Sequence, residues 1–292
     1  LPALSGAITQ DLVVHLTFDN TYNDASGKGN NGSPVGGPIF DTGKIGQAVH
    51  LLADGDYVTL GAPADLSFST NIDFSIAIWV KPTDWAGDPV FVGNKDWNSG
   101  GNQGYVLATD SDAHFQWNLA GAPGSRKDYD GPAGTFSDHN WHHVVVTFTR
   151  AGNVVSYIDG QLVDSRPMSQ DINDLDTPDG YATDIGQDGT GFYGPSFADA
   201  EFDDVGIWRR TLTVQEVAAI YTAGQAGKDL TQATIAAPPA NIQISNLSRS
   251  GNSLTLTWTG GTGPFKVERK SALTDASWTQ VTTTTDHSAT VT

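Results

Sequence analysis

Apolar and polar residues alternate in short runs along most of this chain. LVVHLTF (12–18), AVHLL (48–52), YVTL (57–60) and FSIAIWVKP (74–82) come first. PVFVG (89–93), GYVLAT (104–109) and HFQWNLA (114–120) follow, then HHVVVTFTR (142–150), VVSYIDGQLVDSR (154–166) and FDDVGIWRR (202–210). Side chains of a strand point alternately to its two faces, so each run offers an apolar face to a core. Clusters of Gly, Asp, Asn and Pro divide the runs. Many short strands separated by turns predict an all-β sandwich or barrel. Asp159-Gly160, between two such runs, predicts a tight hairpin turn. One stretch has helical spacing instead. In TLTVQEVAAIYTAG (211–224), Thr213 and Glu216 stand at capping-box distance, and Val217, Ile220 and Tyr221 form a stripe. Gly224 is placed to close this helix, a short cap expected against a sheet edge. The polar, then Pro-rich segment 229–240 reads as a linker. It divides the chain into a large module, 1–228, and a small one, 241–292.

Composition narrows the chemistry. The net charge is −18, with 15 Lys and Arg, which excludes a nucleic-acid or anionic-membrane surface. No apolar run approaches the ~18 residues of a membrane span. The absence of cysteine excludes disulfides, thiolate metal sites and cysteine nucleophiles. Only three acids are Glu (Glu201, Glu216 and Glu268); the other thirty are Asp. Short carboxylates among Gly and Asn suit turns and hard-cation sites. The opening LPALSGAITQ reads as a mature or excised N-terminus.

Six segments, in order, carry a resemblance. They are LTFDNTYNDASGKGNNG (16–32), GQAVHLLADGDYVTL (46–60), FSIAIWVKP, WHHVVVTF (141–148), YIDGQLV (157–163) and FDDVGIWRRTLTVQEVAAIY (202–221). The large module resembles the LamG-like, or concanavalin A-like lectin/glucanase, jelly rolls of bacterial extracellular proteins. In a narrower group, appended to exported hydrolases and surface proteins, four further segments look similar. Here they are GNKDW (93–97), FQWNLA (115–120), SRKDYDG (125–131) and DIGQDGTGFYG (184–194). The resemblance implies that these four gather at one place. In the small module, LTLTWTG (254–260) followed by FKVERK (265–270) looks like the early strands of a fibronectin type III-like sandwich. Such a sandwich needs on the order of 100 residues, so the module is expected to be partial, with an exposed edge.

The loop 93–110 concentrates donors and a Trp among glycines. One reading is a sugar site: Trp97 or Trp117 stacks on a pyranose, Asn94, Asp96, Arg126, Asp128 and Asp130 bond its hydroxyls, and Lys95, Asn118, Tyr129, Gln187, Asp188 and Tyr193 complete the candidate set. The other is a polar network that pins long loops. On the strand FDDVGIW, alternation places Asp203 with Val205 and Ile207, pointing inward, where a carboxylate needs a partner. The resemblance supplies one, a structural calcium carried to Asp19, Asn20, Gln47 and Asp203. Asn94, Asp96 and Asp184 are oxygen-rich enough for a second. His142 and His143 are adjacent on a strand, face opposite sides and cannot share a metal.

Residues 1–200 contain no Glu, and no E-x-D-x-x-E pattern of a glycan hydrolase occurs. An acid/base pair could come only from Asp96, Asp128, Asp130 and Asp188. These observations lead to a non-catalytic, calcium-stabilised carbohydrate-binding module of an exported, extracellular or surface bacterial protein. The alternative is an adhesive module that self-associates or binds protein partners through its incomplete C-terminal sandwich. A glycan-active enzyme is a third.

Overall fold

Strands form where the alternating runs lie. The computed structural model describes residues 8–121, 125–168, 172–235, 241–261, 263–272, 274 and 277–291. The strands before the helix are β1 Leu12–Leu16, β2 Ser33–Val35, β3 Ile39–Thr42, β4 Gln47–Leu51, β5 Tyr57–Thr59, β6 Phe74–Trp85, β7 Val90–Gly93 and β8 Gly104–Thr109. They continue as β9 Phe115–Gly121, β10 Ser125–Asp130, β11 His142–Phe148, β12 Asn153–Ile158, β13 Gln161–Pro167, β14 Asp184–Ile185 and β15 Phe197–Trp208.

Among the described residues these strands make two antiparallel sheets. One has eight strands, in the order β13-β12-β11-β6-β15-β4-β3 with β1 also on β15. The other has seven, β10-β9-β8-β7-β14-β5-β2. Their facing sides enclose a core of Phe74, Phe91, Tyr105, Phe115, Trp117, Phe148, Phe202 and many aliphatic side chains. Of the sandwich and the barrel that alternation leaves open, this is the sandwich, in the jelly-roll form that the resemblance implies. Asp159 and Gly160 both take positive φ, 52° and 72°, as a two-residue turn joining twisted strands requires.

Helix α1, Val214–Gln225, carries the capping box: Thr213 accepts from Glu216 N, and Glu216 accepts from Thr213 N. Its position corrects the expectation of a cap on a sheet edge. The helix lies on the outer face of the eight-stranded sheet, where Val217, Ile220 and Ala223 cluster with Ala77, Val145 and Trp208. Gly224 does not end it either. A Cβ there would meet the Trp79 indole at 2.6 Å, so the glycine permits close packing inside the last turn.

Two further expectations change. The first unit extends within 4–235, and the second lies within 236–292. Residues 229–235, expected to be linker, therefore belong to the first unit. Leu230 is fully buried, and its N–H donates to Asp204 Oδ2 at 2.9 Å. Residues 236–240 of that segment lie outside the described residues. On β15 the register shifts between Asp203 and Gly206, with Asp204 at φ 44°. The bulge breaks alternation. Phe202, Val205 and Ile207 all enter the intersheet core, and Asp203 is buried against the 43–47 turn instead.

The second unit contains β16 Gln243–Ser250, β17 Ser253–Thr259, β18 Phe265–Arg269, β19 Thr279–Thr284 and β20 Ser288–Val291. Strands β16-β17-β20 form one sheet and β18-β19 another, around Trp258, Phe265 and Ala289. Every residue of β16 is exposed.

Candidate functional site

The loop between β7 and β8 folds over the outer face of the seven-stranded sheet. Trp97 is the reason: it is 9% exposed and packs on Val90, Val106 and Ala108. Its indole N–H donates to Asp88 O at 3.1 Å, and its backbone N–H to Asp188 Oδ2 at 2.9 Å. Asp188 is fully buried and also accepts from Thr190 N and Oγ1, at 3.0 and 2.6 Å. Gln187 accepts from Asp188 N and donates to Tyr193 O. The Tyr193 hydroxyl donates to Asp88 Oδ1 at 2.5 Å, and burial with that carboxylate holds its pKa above the usual phenol range. Gly189 N closes the clip on Lys95 O at 2.9 Å.

A second chain of contacts crosses the same face. Lys95, with no exposed surface, donates to Gly100 O and to Asn118 Oδ1. Asn118 donates to Asp128 Oδ1 at 2.5 Å, and Asp128 holds Arg126 Nε at 2.7 Å. Burial pushes the Lys95 ammonium down to about 7; Arg126 adds to this, and the Asp128 and Asp96 carboxylates oppose it. Asn94 Oδ1 accepts from Tyr105 N, and Asp96 Oδ1 from Asn98 N.

The four segments thus gather, but two expected roles do not survive. Trp97 is enclosed in the clip. Trp117 points into the intersheet core and donates to Ser156 Oγ at 2.9 Å. Neither can stack on a sugar. Tyr129 also faces the core, beneath the Arg166 guanidinium. Asp130 stands exposed, 3.9 Å from His114 Nε2.

What the gathered loops leave open is a cleft. Asp96 and residues 101–103 face residues 178–181 across a cavity of about 380 Å³, lined by Asp96, Asn102, Gln103, Asp179 and Tyr181 among others. A second hollow of about 170 Å³ shares Tyr181 and adds Asp176, Thr177 and Asn94. Gln103 Nε2 donates to Asp176 O at 2.5 Å and ties the two walls. The Tyr181 hydroxyl is raised above its ordinary range, first by its bond to Asp179, with Asp96 and Asp188 adding negative potential. Sequence reasoning missed Asn102, Gln103, Asp179 and Tyr181. Two of them sit in the very loop it singled out.

The calcium candidates meet at the 43–47 turn. Asp19 Oδ1 accepts from Gln47 N at 2.8 Å, and Asp203 Oδ2 from Ile45 N at 2.8 Å. Gly46 has φ +59°, and a Cβ there would fall 2.1 Å from Asp19 Oδ1. Asp203 Oδ1 and Gln47 Oε1 are buried without a partner. Burial, with the Asp204 and Asp19 carboxylates nearby, pushes the Asp203 carboxyl up to about 8. Two enclosed oxygens beside the exposed Asp19 carboxylate fit a hard cation. Asn20 is exposed, at φ 55°. Of the second set, Asn94 and Asp96 each spend a side-chain oxygen on a backbone N–H, while Asp184 Oδ1 is unpartnered.

Residues 52–218 match the family model described as the concanavalin A-like lectin/glucanases superfamily. No curated protein matches the sequence. Among solved structures, the binding domain of Paraclostridial Mosquitocidal Protein 1 is similar at 19% identity and TM-score 0.60, covering 73% of this chain and 52% of that one. Botulinum neurotoxin type C, whose cell entry is dependent upon interaction with two ganglioside molecules, is similar at 15% identity and TM-score 0.60, covering 75% and 53%. The chain spans about half the length of these toxin chains. Domain 4 of AbnA, a GH43 extracellular arabinanase from Geobacillus stearothermophilus, in complex with arabinotriose, is similar at 21% identity and TM-score 0.51, covering 71% and 97%. At these identities the likeness is one of fold.

Proposed function

We propose that this chain, which belongs to the concanavalin A-like lectin/glucanases superfamily, is a non-catalytic carbohydrate-binding module with its ligand in the Tyr181 cleft. One observation carries this reading: an aromatic ring, two amides and two carboxylates line a single open cavity. A sugar presents an apolar ring face and a rim of hydroxyls, so a phenol ring beside short polar groups matches both parts. The similar folds that bind ganglioside or arabinotriose support the ligand class by analogy only. The carboxylates around the cleft, Asp96, Asp176 and Asp179, favour neutral over acidic sugars. Against catalysis, Asp188 is enclosed and Asp128 is bonded to Arg126 and Asn118, while of the two cleft carboxylates Asp96 accepts from Asn98 N and Asp179 is bonded to the Tyr181 hydroxyl. A glycan array with the intact chain and with Tyr181→Ala tests the reading; retention of every glycan by the variant would sink it.

Calcium at Asp19, Gln47 and Asp203 is a structural ion in this reading, supported by the two partnerless oxygens. Export to the cell surface, and a fibronectin type III-like identity for the second unit, belong to the same proposal. A protein partner is a second reading, favoured by exposed Ile242, Ile244, Leu247 and Trp278 in the second unit. Light scattering across a concentration series tests self-association; a constant monomer mass counts against it.

A further inference from the structure

Away from the cleft, on the outer face of the eight-stranded sheet, three neighbouring strands bring together Asp41 (β3), His50 (β4) and Glu201 (β15). One potential ligand atom from each lies within 4.8 Å of the others. His50 stands directly opposite Glu201 in the β4–β15 register, and the backbone of both is fixed by the ladder. We infer that this trio is a binding site for zinc or a similar first-row divalent ion, separate in its ligands from the calcium candidates.

The argument starts at the imidazole. His50 Nε2 lies 2.8 Å from Asp199 Oδ1. An ionised carboxylate can only accept, so Nε2 carries the hydrogen and Nδ1 is the ring atom left to take a metal. Nδ1 is enclosed and has no hydrogen-bond partner. Its nearest charged neighbour is Asp41 Oδ2 at 3.7 Å, too far for a hydrogen bond. A cation seated in that gap would meet the Nδ1 lone pair and the Asp41 carboxylate together. Typical bonds from zinc to imidazole and carboxylate are about 2.0–2.2 Å, which that gap admits with little adjustment.

The surrounding groups fit the same reading. Asp199 behind the imidazole is the carboxylate–histidine arrangement that orients metal ligands. Lys81 holds Glu201 Oε2 at 2.5 Å, and Thr42 N holds Asp41 Oδ1 at 2.6 Å, so each ligand carboxylate is steadied through one oxygen. Three carboxylates and one ammonium leave a negative surplus around the imidazole. One nitrogen and two oxygens select a borderline metal over calcium, which takes oxygen alone.

Calorimetric titration of zinc into the full chain, with calcium present throughout, tests the site. Cobalt absorption bands report coordination directly. The expected result is a one-site isotherm that His50→Gln weakens by at least about tenfold, as does Asp41→Asn on the exposed edge strand. Asp199→Asn, which loosens only the hold on Nε2–H, is expected to weaken binding by a smaller factor. Circular dichroism melts of each variant separate lost binding from lost fold. No zinc binding by the intact chain, or binding unchanged in folded His50→Gln and Asp41→Asn, overturns the inference.

Discussion

The backbone N–H of Trp97 donates to the carboxylate of Asp188, 91 residues further along the chain, at 2.9 Å. Asp188 also holds Thr190, so removing its carboxylate strands one buried and two half-buried donors at once. Asp188→Ala is expected to cost about 3 kcal/mol, read from urea unfolding midpoints. A loss under about 0.5 kcal/mol, the range of an ordinary surface change, would show that the clip is not structural.

Tyr181 and Trp97 separate binding from stability. Tyr181→Ala is expected to weaken glycan binding by about tenfold or more while leaving the melting temperature unchanged, since the ring lines an open cavity. Trp97→Ala is expected to destabilise by about 3 kcal/mol, because it empties the patch over Val90, Val106 and Ala108. Affinity by calorimetry and stability by chemical unfolding, on both variants, check the contrast.

His142 sets a pH dependence. Its ring nitrogens lie 2.8 Å from Asp159 and 2.9 Å from Asp138, and these carboxylates raise it to about 9 against partial burial. Folding therefore favours the protonated ring. Its contribution is fully present below the unfolded value of 6.5 and is lost as pH rises through about 9. The melting-temperature gap between the intact chain and His142→Gln should be widest near pH 6 and close by pH 10. A gap that widens with pH contradicts the assignment.

Calcium is expected to raise the melting temperature, because a ligand of the native state alone stabilises it. Asp203→Asn should remove most of that shift, whereas Asp130→Asn, far from the 43–47 turn in sequence and exposed, should not. Melts with calcium and with chelator decide; an equal shift in both variants would place the ion elsewhere.

Much of the fold was legible because alternation and capping are local. The runs at 74–82, 104–109 and 142–150 became central strands, and Thr213 with Glu216 became the capping box. The same alternation, applied to FQWNLAG, already put Trp117 on one face with Phe115 and Leu119 and Asn118 on the other. Reading Trp117 and Asn118 as one sugar contact overlooked it. The bulge at Asp203 and Asp204 defeated alternation itself. The cleft was harder to see. It depends on Tyr181 meeting Asn102 and Gln103 from a distant loop, and no local periodicity encodes that meeting.

The clip on the outer face has a thermodynamic meaning for recognition. In the cleft wall, Asp96 lies between Lys95 and Trp97, which are already immobilised by Asp188, Asn118 and Asp88, while Asn102 is tied to Asp96 O and Gln103 to Asp176 O. This wall is preorganised, so little conformational entropy remains to be lost when a ligand arrives. Binding would then be limited by desolvation of Asp96 and Asp179 rather than by loop closure, with association rates insensitive to viscogens that slow loop motion.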